Sequence, residues 1–261
     1  MKLKFATWNI ACGAGGYHGQ AIADIARWIV AQNIDICVLQ EVDRFAKRSN
    51  YVDFPKLLAQ NTKLTTYFEP SFTVSPEQDG APPREYGNCI LSRFPVMSTH
   101  YVALSPANLP ETAQRWEIEP RAALAMRLDC GGGTGLWVAT AHLSYVPDFA
   151  SYDFRKRQVA KLVDWLRRMT SSSDALLFGG DLNSPPDGED IKLLREYLTL
   201  HTGDIGPTWP LGGTMGEGRA PFVTIDHIFS RKVTVESVVR HDLTLMSDHS
   251  VVVAECEIAQ P

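Results

Sequence analysis

Short apolar runs recur along the whole chain. Residues 3–8, 36–39, 89–92, 122–128, 136–141, 175–178, 225–229, 233–239 and 251–258 are rich in β-branched or aliphatic side chains and bounded by turn formers or charges. That pattern predicts strands. Between them, three segments change to helical spacing. Ile22, Ile25, Ala26, Ile29 and Val30 follow the i, i+3, i+4, i+7, i+8 rhythm of one buried helix face. Val159, Leu162, Val163, Leu166 and Met169 do the same, with Ser151 or Asp153 placed to cap the helix start. A third helix is expected around Ile191, Leu194 and Leu198, after Pro185 and Pro186. Many strands and few helices, mixed rather than strictly alternating, predict an α/β protein whose two sheets pack together with helices outside. No repeat, linker or shift in composition divides the chain, so residues 1–261 read as a single domain. Residues 71–85, 105–120 and 203–221 read as long loops rich in Pro or Gly, either functional or plain surface insertions.

The composition is that of a folded chain. Of 261 residues, 44% are hydrophobic and 21% charged, and a chain of this size buries about three quarters of its unfolded surface. The net charge of −5 argues against strong non-specific binding to DNA or RNA, which depends on clustered Lys and Arg. It does not exclude a nuclease, because an acidic metal site contributes negative charge by itself. The five cysteines, Cys12, Cys37, Cys89, Cys130 and Cys256, are odd in number and form no CxxC pair. They read as buried thiols in a reducing compartment. Residues 3–10 are too short and strand-like for a signal peptide, and no apolar stretch approaches the roughly 18 residues of a membrane span. The expectation is a soluble cytoplasmic protein without a transmembrane segment, and no obligate protein partner is evident.

The informative pattern is positional. Several apolar runs end in a polar residue that has no reason to follow them. Residues 5–8 run into Asn9, 36–39 into Gln40 and Glu41, 137–141 into His142, and 176–180 into Asp181 and Asn183. Asp226 lies within an apolar run, and Asp248 and His249 immediately precede another. Ligand sites in α/β proteins gather at strand ends. If these ends share one edge of the paired sheets, Glu41, Asp181 and Asp248 converge with two histidines and two amides. So many carboxylates need a cation, and hard oxygen donors without cysteine-ligand spacing suit magnesium or manganese.

These residues sit in motifs that run in order along the chain: TWNI at 7–10, LQE at 39–41, YGNCILSRFP at 86–95, EPRAAL at 119–124, TAHL at 140–143, GDLN at 180–183, IDHIF at 225–229 and SDH at 247–249. Singly they are unspecific. In this order they resemble the endonuclease/exonuclease/phosphatase superfamily, which includes pancreatic-type deoxyribonucleases, abasic-site endonucleases, neutral sphingomyelinases and inositol-phosphate phosphatases. The resemblance implies a four-layer α/β/β/α sandwich of two packed mixed β-sheets flanked by helices, with the site at one edge of the sheets. It implies Glu41 as the main metal ligand, with Asn9 beside it holding metal or phosphate. Asp181 would orient or deprotonate the attacking water, and Asn183 would contact that water or the phosphate. Asp226 would accept a hydrogen bond from His249, which contacts the phosphate or moves a proton, and Asp248 would bind metal directly or through water. His142 would face the phosphate or leaving group, as in the deoxyribonuclease and sphingomyelinase branches and unlike the abasic-site branch. Tyr86, Asn88 and Arg121 would line the pocket.

The implied activity is that of a metal-dependent phosphoesterase hydrolysing a phosphodiester or phosphomonoester through water attack, with magnesium or manganese as cofactor. No serine or cysteine nucleophile is suggested, since GxSxG is absent. The alternatives are a nuclease acting on DNA or RNA, and an inactive binding module on the same scaffold. Two departures from the family pattern stand out. Thr224 occupies a position where many relatives carry Arg or Lys, and residues 11–16 form a glycine-rich turn without a second acid. For nucleic acid, Arg155, Lys156, Arg157, Lys161, Arg167 and Arg168 share a helix, read as a solvated outer face, and Arg44, Lys47 and Arg48 follow Glu41. For a lipid headgroup or small phosphoester, Tyr145, Phe149 and Tyr152 follow His142. Overall acidity favours the small substrate or lipid headgroup as partner.

Overall fold

The computed structural model describes residues 1–13, 20–76, 79–105, 119–146, 152–209 and 223–259, without the side chains of Gln20 and Tyr152. In chain order the elements are β1 (Lys2–Asn9), α1 (Gln20–Ala31), β2 (Ile36–Arg44), α2 (Phe54–Thr62), β3 (Thr65–Val74), β4 (Arg84–Ser92), β5 (Val96–Ala103), β6 (Ala122–Asp129), β7 (Gly135–His142), α3 (Tyr152–Met169), β8 (Ala175–Asp181), α4 (Lys192–Tyr197), β9 (Thr199–Leu200), β10 (Asp226–Arg231), β11 (Thr234–His241) and β12 (Val251–Glu257). They form two six-stranded mixed sheets, ordered β11-β12-β1-β2-β4-β3 and β5-β6-β7-β8-β10-β9. Each sheet has a parallel pair within it, β1 with β2 and β7 with β8. Each pair is bridged by a helix, α1 or α3, as parallel strands require.

Alternation along the strands separates three apolar clusters. On β1, Leu3 and Phe5 enter the core between the sheets, whereas Ala6 and Trp8 pack with Ile22, Ile25 and Ile29 of α1. On β8, Leu177 faces the inter-sheet core, and Leu176 and Phe178 pack with Val159, Leu162 and Leu166 of α3. Three cores between four layers give the α/β/β/α sandwich expected from the sequence.

At one end the inner faces turn from apolar to polar in step with the pleat. Thr7 and Asn9 continue the side of Leu3 and Phe5, Gln40 that of Ile36 and Val38, Thr140 and His142 that of Leu136 and Val138, and Asp181 that of Leu177. All six of these polar residues are buried. Gln40 ties the sheets together there, donating from Nε2 to Thr140 Oγ1 at 2.9 Å and to Thr7 Oγ1 at 3.3 Å. Gly179 permits the close approach, since a Cβ on it would lie 2.8 Å from Thr7 Cβ and 2.9 Å from Val38 Cγ2.

Several local expectations change. β3, β5 and α2 escaped the apolar pattern because β3 and β5 are sheet edges with few fully buried positions, and α2 is short. β3 runs to Val74 and β4 starts at Arg84, so the loop read at 71–85 is shorter. Val30 is 50% exposed, off the buried face of α1. Asp153 lies inside the first turn of α3 rather than capping it, and Ser151 falls outside the described residues, as do most of the loops at 105–120 and 203–221. All five cysteines are buried free thiols.

Candidate active site

Sheet register assembles the polar end. In the second sheet, His142 pairs with Asp181 across β7–β8, and Asp181 pairs with Asp226 across β8–β10. The three side chains are therefore lateral neighbours on the inner face. Facing them, Asn9 ends β1 beside Gln40 of β2. Glu41 comes next on β2, where strict alternation would turn it away. The strand does not stop there, as the apolar run suggested; its register with β4 shifts between Leu39 and Val42, and Glu41 has φ +57°. A bulge re-aims a side chain in this way, at a backbone cost of about 1–3 kcal/mol for such a residue.

The carboxylates of Glu41 and Asp181 meet on one donor. Asn9 Nδ2 donates to Glu41 Oε1 at 3.1 Å and to Asp181 Oδ2 at 2.9 Å. Asn9 Oδ1 accepts from Ala11 N at 3.0 Å, which sets the amide so that its NH2 faces the acids. Cys12, in the positive-φ turn after Asn9, donates to Glu41 Oε2 at 3.4 Å. Its thiol is pushed well up by burial and by Glu41, so it stays protonated. Asp181 Oδ1 accepts from Asn183 N at 2.9 Å, and Asn183 Nδ2 donates to Leu143 O and lies 3.2 Å from His142 Nε2.

The two histidines are in opposite charge states. His249 Nδ1 lies 3.0 Å from Asp226 Oδ2, and its Nε2 lies 3.9 Å from Asp181 Oδ2. Burial opposes a charge on His249, but Asp226 with Asp181 and Asp248 outweighs it and holds the imidazolium up to about 10. His142 is driven well below the ordinary histidine range by burial, then by Arg121 and His249, so it is neutral. Arg121 Nη1 sits 2.9 Å from His142 Nδ1, and its Nη2 pairs with Glu119. The Asp181 carboxyl is raised to about 7 by burial and by Asp226, against the pull of His249, Asn9 and the Asn183 N–H.

The remaining predicted residues separate. Asp248 is joined to Trp209, whose Nε1 donates to Oδ2 at 3.1 Å, while Asp248 Oδ1 is buried without a hydrogen-bond partner among the described residues. Tyr86 is buried, stacked on Phe72 and under Arg48, and its phenol is raised by burial and by nearby Glu41. Asn88 is a strut between the sheets, donating to Ala122 O at 2.9 Å. Thr224 donates to Gly206 O, so its hydroxyl serves the loop. Tyr145 is exposed; Phe149 lies outside the described residues, and so does the side chain of Tyr152.

Sequence reasoning passed over Trp209, hidden in a Gly- and Pro-rich stretch where only an isolated aromatic signalled it, and it misplaced Arg155. That residue is fully buried against Asp190 instead of on a solvated face. The pair locks the loops after His142 and Asp181, since Asp190 also accepts from Ser184 Oγ, and Arg155 reaches Ser144 O.

The donor set fits a hard divalent cation. Asp181, Asp226 and His249 each place an atom within 4.8 Å of the others. A charged imidazole held by Asp226 has no lone pair for a metal, however. Carboxylate oxygens suit a hard cation better: Glu41 and Asp181 share the Asn9 amide, and Asp248 Oδ1 is buried with no hydrogen-bond partner among the described residues.

Two mixed sheets back to back between helices, with acids and imidazoles gathered at one sheet edge, define the phosphoesterase-type α/β sandwich class. The chain belongs to the Endonuclease/Exonuclease/phosphatase family, whose profile matches residues 6–249. Among solved structures, an endonuclease/exonuclease/phosphatase from Beutenbergia cavernae superposes with a TM-score of 0.75 at 22% identity, over 99% of this chain and 72% of that one. The human Nocturnin catalytic domain with bound sulfate gives 0.70 at 21% identity, over 99% and 94%. TDP2 of D. rerio complexed with a single-stranded DNA product gives 0.67 at 14% identity, over 98% and 99%. No curated protein matches this sequence. The family includes metal-dependent phosphoesterases and nucleases. Among the described residues no helix is long and apolar enough to cross a membrane.

Proposed function

We propose that the protein is a magnesium- or manganese-dependent phosphodiesterase acting on a small molecule or lipid headgroup. The observation that supports it best is the meeting of the Glu41 and Asp181 carboxylates on one Asn9 amide, opposite an imidazolium on Asp226. Glu41 and Asp248 hold the ion, with Asn9 beside them through the second lone pair of its Oδ1. When bound, that ion supplies Lewis acidity to a phosphoryl oxygen. Asp181, with a carboxyl near neutrality, orients the attacking water and takes its proton. Asn183 holds the same water or the phosphate. His249 directs its charged Nε2–H at a phosphoryl oxygen while Asp226 fixes the ring. His142, neutral and protonated on Nε2, donates toward the leaving oxygen. Tyr86 and Arg121 shape the wall behind Glu41 and His142.

Charge favours a diester over a monoester. Glu41, Asp181, Asp226, Asp248 and Glu119 outnumber the cations His249 and Arg121. A single divalent ion leaves the site negative, which suits a monoanion better than a dianion. Several of the cations that would track a nucleic-acid backbone are engaged elsewhere. Arg44 pairs with Glu85, Arg48 with Asp43, Arg168 with Asp164, and Arg167 lies over Tyr197. The DNA product in the TDP2 structure nevertheless makes nucleic acid the second reading to test. An inactive binding module would not need this complete set of chemical groups.

The test is a panel of bis-p-nitrophenyl phosphate, p-nitrophenyl phosphate, sphingomyelin, DNA and RNA, with magnesium, manganese or chelator, for wild type and Glu41→Ala. Metal-dependent, salt-insensitive diester hydrolysis that falls by about 100-fold or more in Glu41→Ala is expected. Steep salt dependence on DNA points to the nuclease reading instead. Equal, metal-independent rates in both proteins overturn the enzyme reading.

A further inference from the structure

We infer that Trp209 is a positioning residue of the metal site, aiming Asp248 through its indole N–H; this rests on the metal-site reading above. Residues 208 and 209 are not a free loop. Thr208 Oγ1 accepts the N–H groups of Ile225 and Asp226 at 3.0 and 3.1 Å, where β10 begins. Thr208 O accepts from Ser250 N at 2.9 Å, immediately after His249. Trp209 then exchanges two backbone hydrogen bonds with Val223, at 3.1 and 2.8 Å. The indole is thus anchored to the two segments that supply Asp226 and His249. Anchored this way, it is itself partly buried, with its ring centroid 6.1 Å from that of His249.

The indole N–H has one thing to give, a single hydrogen bond, and it goes to Asp248 Oδ2 at 3.1 Å. The consequence lies on the other oxygen. Asp248 Oδ1 is buried and has no partner among the described residues, a costly state for a carboxylate unless a ligand completes it. A carboxylate free to rotate would present either oxygen. One held by an indole presents Oδ1 only, and so meets a hard cation without first losing side-chain freedom.

The test uses Mn2+ binding to the full chain, read by electron paramagnetic resonance of the free ion, so that turnover is not needed. Trp209→Phe keeps an aromatic ring and removes the donor. Its Mn2+ dissociation constant is expected to rise about tenfold, the size of one hydrogen bond to a charged group, with the circular dichroism spectrum unchanged. Trp209→Phe combined with Asp248→Asn is expected to bind no more weakly than Asp248→Asn alone, because the two residues act through one oxygen. Wild-type affinity in Trp209→Phe, or additive losses in the double variant, overturn the inference while leaving the metal site standing. No Mn2+ binding by wild type overturns both. Should Trp209→Phe not fold, the indole 15N–1H signal of Trp209 answers in its place. It should shift on adding Mg2+ to wild type and stay still in Asp248→Asn, and an unmoved wild-type signal overturns the inference.

Discussion

Arg121 fixes the tautomer of His142. The guanidinium Nη1 lies 2.9 Å from His142 Nδ1, and a guanidinium can only donate. Facing that charged donor, Nδ1 accepts, which places the ring proton on Nε2, 3.5 Å from Asp181 Oδ2 and 3.2 Å from the Asn183 amide that donates to Leu143 O. That contact sets the tautomer, while burial first, then Arg121 and His249, keep the histidine neutral.

The first prediction follows from that contact. In wild type, 15N spectra should show His142 as the neutral Nε2–H form through pH about 6, below the usual histidine midpoint of about 6.5. Arg121→Gln removes the second-ranked cause of the depression but leaves burial, the largest. The midpoint should rise part of the way toward the ordinary value. An unchanged midpoint would show that burial alone holds the ring neutral.

A second prediction concerns pH and metal. The Asp181 carboxyl, raised to about 7 in the folded state, keeps a proton that an unfolded aspartate releases near 4. The native state then binds more protons across that window, so stability falls as pH rises from about 4 to about 7. His249, raised to about 10, has the same sign. Its contribution is whole below the unfolded midpoint of about 6.5 and is lost as pH climbs through about 10. Thermal midpoints without divalent ions should decline accordingly. Excess Mg2+ should raise them more near pH 7.5 than near pH 5, because it replaces the proton at the cluster.

Gly179→Ala tests how the sheets are seated. The added methyl would fall 2.8 Å from Thr7 Cβ and 2.9 Å from Val38 Cγ2, on short, fully buried side chains that cannot swing aside. Overpacking of this kind costs about 1–3 kcal/mol. A lower chemical-denaturation midpoint is expected with the slope unchanged. A midpoint equal to wild type would mean that the sheets can separate freely.

The buried Arg155–Asp190 pair gives a fourth prediction. Removing one partner, as in Arg155→Met, leaves a carboxylate inside and should cost about 3–5 kcal/mol. Arg155→Met with Asp190→Leu should recover most of it. Equal losses in the single and double variants would show that lost packing, not stranded charge, sets the cost.

The strands nearest the site were legible in the sequence because they are buried on both faces, which leaves uninterrupted apolar runs. The same property made their polar ends conspicuous, so Asn9, His142 and Asp181 could be singled out in advance. Edge strands β3 and β5 show no such contrast: β3 is partly exposed along most of its length, and β5 alternates between partly and fully exposed positions. Glu41 was legible by motif, but the bulge that turns it inward depends on the register with β4, and no local residue pattern encodes that. Arg155 looked like its basic neighbours because its partner, Asp190, lies on a different element. Trp209 and Asp248 are 39 positions apart, a pairing that only the tertiary fold reveals.

The ownership of the site has a kinetic corollary. Asn9, Glu41, Asp248 and His249 belong to the β1–β12 sheet and its approach, while His142, Asp181, Asn183 and Asp226 belong to the other. Neither half encloses a working pocket by itself. During refolding, competence should emerge only when the two halves dock, so regained catalysis would serve as a clock for that last event, trailing the return of secondary structure.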